Sequence, residues 1–199
     1  MSISASDVKA LRERTGAGMM ECKRALEESK GDEDKAVEIL RVKGQAKAAK
    51  RGEREAAEGV VSHYVHFNNR VGALVEVNCE TDFVARNEEL LEFARQVAIH
   101  VASLAPRWVS EEDVPEEVKA EELSVLEQQA DDSKPPEVQK KITEGRLRKW
   151  FEEVVLLNQP HVNADLFEGR TIEQIRADIS AKTGENVVIR RFARFQVGD

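Results

Sequence analysis

Between residues 70 and 102 the spacing of apolar residues changes once, and that change fixes two elements and the junction between them. Val71, Ala73, Val75, Val77 and Cys79 alternate with Arg70, Gly72, Glu76 and Asn78, the period of a strand with one buried face. From residue 90 onward the apolar positions are Leu90, Ala94, Val97, Ala98, Val101 and Ala102, which line one side of a helix. The stretch NCETDFVARN, residues 78–87, therefore falls where strand gives way to helix, a kind of place where functional groups are often presented. Thr81 is a capping candidate, and Asp82 suits the positive end of the helix dipole. Phe83 has two readings: an apolar residue anchoring the chain as it enters the helix, or an exposed aromatic fitted to a partner's pocket. On the residues alone the first is favoured.

The remaining periodicities place this junction in an α+β core. Residues 60–67 (VVSHYVHF) read as a strand joined to residues 70–79 by Asn68-Asn69, a two-residue hairpin turn suited to asparagine's tolerance of positive φ. Residues 187–197 (VVIRRFARFQV) are a third strand. Helices are expected at about 88–103, 116–131, 136–157 and 171–183, the last opened by a Thr171-x-x-Gln174 capping pattern. Helices interposed between strands of one antiparallel sheet give an α+β domain over residues 59–199. Ahead of it, residues 1–44 form a miniature domain of three short helices. Thr15 to Gly18 (TGAG) breaks the first from the second, Asp32 caps the third, and Gly44 is a plausible terminator. Met19, Met20, Cys22, Ala25 and Leu26 supply the second helix's apolar side. The adjacent methionines cannot both face one small core, so at least one packs and the other is a candidate contact residue. Residues 45–58, rich in alanine and charge with no large apolar side chain, read as a linker.

Charge and cysteine usage narrow the function classes. The net charge of -8 is uneven. Residues 1–52 carry 12 Lys+Arg against 9 Asp+Glu, or +3, leaving -11 for the rest. An acidic body repels nucleic acid over most of its surface, so a protein partner is the better expectation and direct nucleic-acid binding is not expected. Ten acidic residues between 111 and 132, against one lysine, read as a solvated helix face. Cys22 and Cys79 form no CxxC, which fits a reducing cytoplasm. No apolar run approaches the ~18 residues needed to cross a bilayer, and no leader pattern opens the chain. Glycine-rich phosphate loops, HExxH and GxSxG are absent, His63 and His66 make a poor metal pair, and Cys79 faces inward as an inert thiol. No catalytic constellation, metal site or cofactor is indicated, so the chain is read as a binding protein and not an enzyme.

LRERTGAGMMECKRAL (residues 11–26) and EVNCETDFVAR (residues 76–86) resemble the two signature segments of the elongation factor Ts family, guanine nucleotide exchange factors of the translational GTPase elongation factor Tu. GRLRKWFEEVVLLNQP (residues 145–160) and the closing ENVVIRRFARF resemble the family as well, so the likeness covers nearly the whole chain. Glu21 and Arg24 stand where the family often has Asp and Lys. The resemblance implies a UBA-like fold for the three-helix domain, docked on the GTPase through Arg12, Met19, Met20 and Lys23. It also implies that Thr81, Asp82, Phe83 and Val84 disturb the partner's magnesium and nucleotide site, Phe83 as the wedge, Asp82 as a polar contact and the other two framing the turn. It reverses the reading of Phe83.

Longer family members carry a second core subdomain and a protruding coiled coil, for which this length leaves no room. A short form of this kind would complete its core with a second copy, the final strand with Phe192 and Phe195 offering a dimer surface. Two other classes remain beside this reading: a general adaptor using the three-helix module, and an RNA-binding role for the basic first domain with Lys47, Lys50 and Arg51. A hydrolase built on Cys79 and a histidine comes last.

Overall fold

The computed structural model describes residues 3–129 and 135–199, and only the backbone of Gln45, Lys47, Ala48 and Ala49. Its class is α+β, with a helical N-terminal region and a three-stranded antiparallel sheet in the order β1 (Glu58–Val65), β2 (Val71–Cys79), β3 (Val188–Gln196). In β2 the expected alternation holds: Ala73, Val75, Val77 and Cys79 are buried while Leu74 is exposed.

The hairpin between β1 and β2 is longer than two residues. The Asn69 N–H donates to the His66 carbonyl at 2.8 Å, and the His66 N–H donates to the Val71 carbonyl at 2.9 Å. Asn69 itself takes the left-handed conformation at φ +55°, as a third turn residue does in hairpins of this length. The Asn68 side chain accepts the Arg70 N–H at 3.0 Å. Along β3 the burial pattern slips: Val187 and Ile189 are buried, Arg190 and Arg191 are both exposed, and Phe192 is then half-buried. Phe192 and Phe195 therefore lie on opposite faces, and only Phe195 joins Val61, Val65 and Leu74 on the exposed apolar face of the sheet.

The helices are α1 (Ala5–Thr15), α2 (Met19–Glu28), α3 (Glu33–Arg51), α4 (Asp82–Ala85), α5 (Glu88–Leu104), α6 (Glu116–Gln128), α7 (Pro136–Val154), α8 (Ala164–Phe167) and α9 (Ile172–Thr183). Residues 130 and 131 of the helix expected over 116–131 lie outside the described residues. Among the described residues no helix is long and apolar enough to cross a membrane, and no group of three or more His, Cys, Asp or Glu side chains could hold a metal ion.

The chain divides into two compact units. The first takes the chain up to Val60 with Val77–Phe93 and Gln174–Val188. In it α1 opens on a capping box, with Ser4 Oγ accepting the Asp7 N–H and Asp7 accepting the Ser4 N–H. It closes on Gly16 at φ +69°, whose N–H reaches the Arg12 carbonyl. Asp32 caps α3 by accepting the Lys35 N–H at 3.1 Å. Leu11, Cys22, Ala25, Leu26 and Ala36 form the buried centre of this helical cluster, with Val8 beside them.

Two expectations change in this unit. Gly44 does not end the third helix, which runs on to Arg51, because the alanine-rich sequence after it propagates a helix well enough to absorb one glycine. Its end is held where the Arg51 guanidinium donates to the Ser180 carbonyl at 3.2 Å. Neither methionine joins the core: Met19 and Met20 are 43% and 61% exposed, since Cys22, Ala25 and Leu26 already fill the face of α2 turned inward.

The second unit comprises Val61–Glu76, Ala94–Glu173 and Ile189–Asp199. Its helices α6 and α7 pack against one another. Trp108 and Trp150 meet with ring centroids 6.1 Å apart, and the Arg107 guanidinium lies 4.2 Å over the Trp108 ring. Deeper in this unit, His100 and His161 face each other at 5.4 Å.

Candidate functional site

The turn that carries Phe83 is built from its N-terminal side. β2 delivers Cys79 into the core, where its thiol donates to the Thr81 carbonyl at 3.2 Å. Burial, followed by the charge of Glu185, pushes the thiol pKa up, so Cys79 is a packing residue without nucleophilic character. Thr81 then caps α4, its hydroxyl accepting the Val84 N–H at 3.4 Å. Asp82 occupies the first turn and pairs with Arg86 at 3.1 Å on the surface. Phe83 points away from the protein and is 84% exposed. No residue of α4 is buried, so the hydrophobic effect does not hold this turn in place.

Polar groups hold it instead. The Glu185 carboxylate accepts the Glu80 N–H at 2.9 Å, the Thr81 N–H at 3.1 Å and the Thr81 hydroxyl at 2.6 Å. In return the Glu80 carboxylate accepts the Asn186 N–H at 2.6 Å and the Arg54 guanidinium at 3.4 Å. The buried Asn186 amide donates to the Arg54 and Gly52 carbonyls at 2.8 and 3.4 Å, and Asn78 donates to the Ala56 carbonyl at 3.1 Å. The chain beyond α3, the end of β2 and the residues leading into β3 thus meet behind the turn. None of Glu185, Asn186 or Arg54 was singled out from the sequence. A Gly-Glu-Asn after a helix reads as ordinary loop, and no local pattern reports a partner a hundred residues away.

The other sequence-derived site residues lie on the helical cluster. Met19, Met20 and Lys23 are exposed on α2, Lys23 within 3.9 Å of Glu27, and Arg12 is exposed near the end of α1. The turn between these helices is close to α9: a Cβ at Gly16 would sit 3.1 Å from the Lys182 side chain, whose amine reaches Glu89 at 3.2 Å. Both groups of candidates, Arg12, Met19, Met20 and Lys23 on one hand and Thr81 to Val84 on the other, belong to the first compact unit. The second group shares one turn; the first is spread over two helices.

The arrangement contains an exposed aromatic on a braced turn and an exposed pair of methionines, features of a surface that grips another protein. The family described as Elongation factor TS matches residues 10–166 of this chain, a range that contains every one of these candidates but not Glu185. Elongation factor Ts of Thermosipho melanesiensis is 52% identical over 198 residues, covering 99% of this chain and 100% of that protein. The protein of the same name from Rubrobacter xylanophilus matches at 52% with the same coverage, and that from Carboxydothermus hydrogenoformans at 52% over 99% of this chain and 90% of its own. With the quoted segments, the matched range and full-length relatives in agreement, the chain belongs to the elongation factor Ts family of translation elongation factors.

Proposed function

We propose that this chain is a guanine nucleotide exchange factor that binds elongation factor Tu in its GDP form and promotes GDP release so that GTP can follow. The observation that carries the reading is Phe83: a large apolar side chain held in water on a turn that is fixed by hydrogen bonds. A GTPase shares its Mg²⁺ between protein side chains and phosphate oxygens in a demanding octahedral geometry. A wedge that shifts the elements shaping that site withdraws charge neutralisation from the diphosphate, and the nucleotide leaves. Phe83 is the wedge, Asp82 directs it, and Thr81 and Val84 frame it. Arg12, Met19, Met20 and Lys23 hold the helical domain on the GTPase. The work is done by binding, in the cytoplasm, with no covalent chemistry or cofactor supplied by this chain.

Linkage sets the energetics: the factor binds the empty GTPase more tightly than the nucleotide-bound one, and nucleotide weakens the factor by the same ratio, tenfold for each ~1.4 kcal/mol. The test is stopped-flow release of a fluorescent GDP analogue from elongation factor Tu. The native chain should accelerate it, and Phe83→Ala should lose about tenfold or more of that acceleration, as expected for a buried aromatic anchor. Met19→Ala and Met20→Ala should instead raise the half-saturating concentration several-fold on the order of a lost ~1 kcal/mol contact. No acceleration by the folded native chain would sink the reading; equal acceleration by Phe83→Ala would remove the wedge.

A second copy of the chain is proposed as a further partner, seated on the exposed face that carries Val61, Val65, Leu74 and Phe195. Light scattering should give twice the chain mass and, for Leu74→Asp with Phe195→Asp, the chain mass. A monomeric native protein would exclude the dimer.

A further inference from the structure

A four-residue helix has too few internal bonds to sustain itself, so its direction is whatever its first residues impose. α4 is such a helix, none of its side chains is buried, and the side chain it exists to aim is the most exposed part of it. The direction of Phe83 must therefore be set at Glu80 and Thr81.

At these two residues three donors converge on a single carboxylate. Glu185 Oε2 accepts both backbone N–H groups, and Oε1 accepts the Thr81 hydroxyl. With its proton turned to Glu185, the hydroxyl presents a lone pair to the Val84 N–H, so the carboxylate also orients the cap of α4. Only an acceptor with two oxygens and no proton can serve all three donors together. Glu185 is itself fixed, because its carbonyl accepts the Ser180 hydroxyl at 2.5 Å and its neighbour Asn186 is tied to Glu80.

We infer that Glu185 is the positioning residue of the exchange wedge: it holds the Glu80–Thr81 backbone and the Thr81 hydroxyl in the one arrangement from which Phe83 projects. Its carboxylate contacts are with Glu80 and Thr81, and it acts through the turn. Its role in exchange rests on the function proposed above; its role in ordering the turn does not.

Two measurements on the full chain separate these. In hydrogen–deuterium exchange, Glu185→Ala should speed the amides of residues 80–86 by about tenfold or more while the helical cluster stays within about twofold of the native chain. In GDP release, Glu185→Ala should lower the maximal rate about tenfold and leave the half-saturating concentration within about twofold, because the α1 and α2 contacts are intact. In a Phe83→Ala background the same substitution should cost nothing further, since a positioning residue has nothing left to position. Unchanged amides at 80–86 would overturn the inference, as would an equal loss in both backgrounds. Should Glu185→Ala unfold the chain, Glu185→Gln keeps the volume and removes one acceptor oxygen. Faster local exchange at 80–86 is again expected, and none would again overturn it. A native chain that fails to release GDP would end the exchange reading while the amide measurement still decides the ordering of the turn.

Discussion

Lowering the pH from 7 to 4 should cost the chain roughly 3 kcal/mol of stability through one imidazole, that of His100. The ring is fully buried, its Nδ1 accepts the Val162 N–H at 3.0 Å, and its Nε2 lies 2.9 Å from Gln159 Oε1. Because Nδ1 is an acceptor, the proton sits on Nε2, and both nitrogens are satisfied only in the neutral ring. Burial lowers the pKa from its ordinary 6.5 to about 4, with the nearby His161 ring pushing the same way and the Gln159 bond opposing. A histidine depressed in the folded state contributes fully above its unfolded pKa, so the loss begins as pH falls through 6.5 and is nearly complete at about 4. His161 is lowered by burial too, with Nδ1 accepting the Asn163 N–H at 3.0 Å, so it adds to the effect in the same direction. His100→Gln retains one donor and one acceptor without a titrating group. Urea midpoints measured from pH 7 to 4 should therefore fall less steeply in the variant. A His100 C2–H resonance titrating near the ordinary 6.5 would refute the account.

Gly59→Ala should destabilise the chain by about 3 kcal/mol, lowering the melting temperature by about 10 °C. Gly59 lies in β1 at φ +156°, and a Cβ there would overlap the Val77 carbonyl oxygen and come within 2.8 Å of the Asn78 Cα. Both obstacles are backbone atoms of β2, so no side chain can rotate away. Relief requires the strands to separate where β2 approaches the Phe83 turn. Gly72→Ala is the internal control: the nearest atom to its Cβ would be the Tyr64 carbonyl oxygen at 3.4 Å, an ordinary contact. It should change stability by less than about 1 kcal/mol. Calorimetric melting of both variants decides the matter, and equal melting temperatures would contradict the steric argument.

What the sequence made legible was whatever depends on period and on residue-specific backbone preference. The inward row Ala73, Val75, Val77, Cys79, the cap at Asp32 and the break at Gly16 all follow from neighbours within a few positions. Asn69 was recognisable as a residue for positive φ, but the length of its turn depends on which carbonyl His66 finds across the hairpin. The strand at 187–197 was legible but not its faces, because two consecutive exposed residues, Arg190 and Arg191, shift every later side chain to the other face. The methionines were legible as a misfit, with at least one expected to pack, and both are exposed. Their exposure was decided by how little room Leu11, Cys22 and Leu26 leave in a small core. Phe83 was the hardest case. Its side chain is exposed instead of packed at the helix entry, and the group that braces its turn, Glu185, lies 104 residues beyond Thr81.

That separation has a consequence for the order in which the protein is made. Chains emerge from synthesis N-terminal end first, and contacts between distant positions close last. The helical cluster and the β1–β2 hairpin can form while the chain is still growing, but the carboxylate that braces the Phe83 turn is added 104 residues after Thr81. A chain that has not yet reached Glu185 would carry its helical cluster and Phe83 on a turn that lacks its brace. The geometry of the Phe83 segment thus waits on a residue that is added long after it.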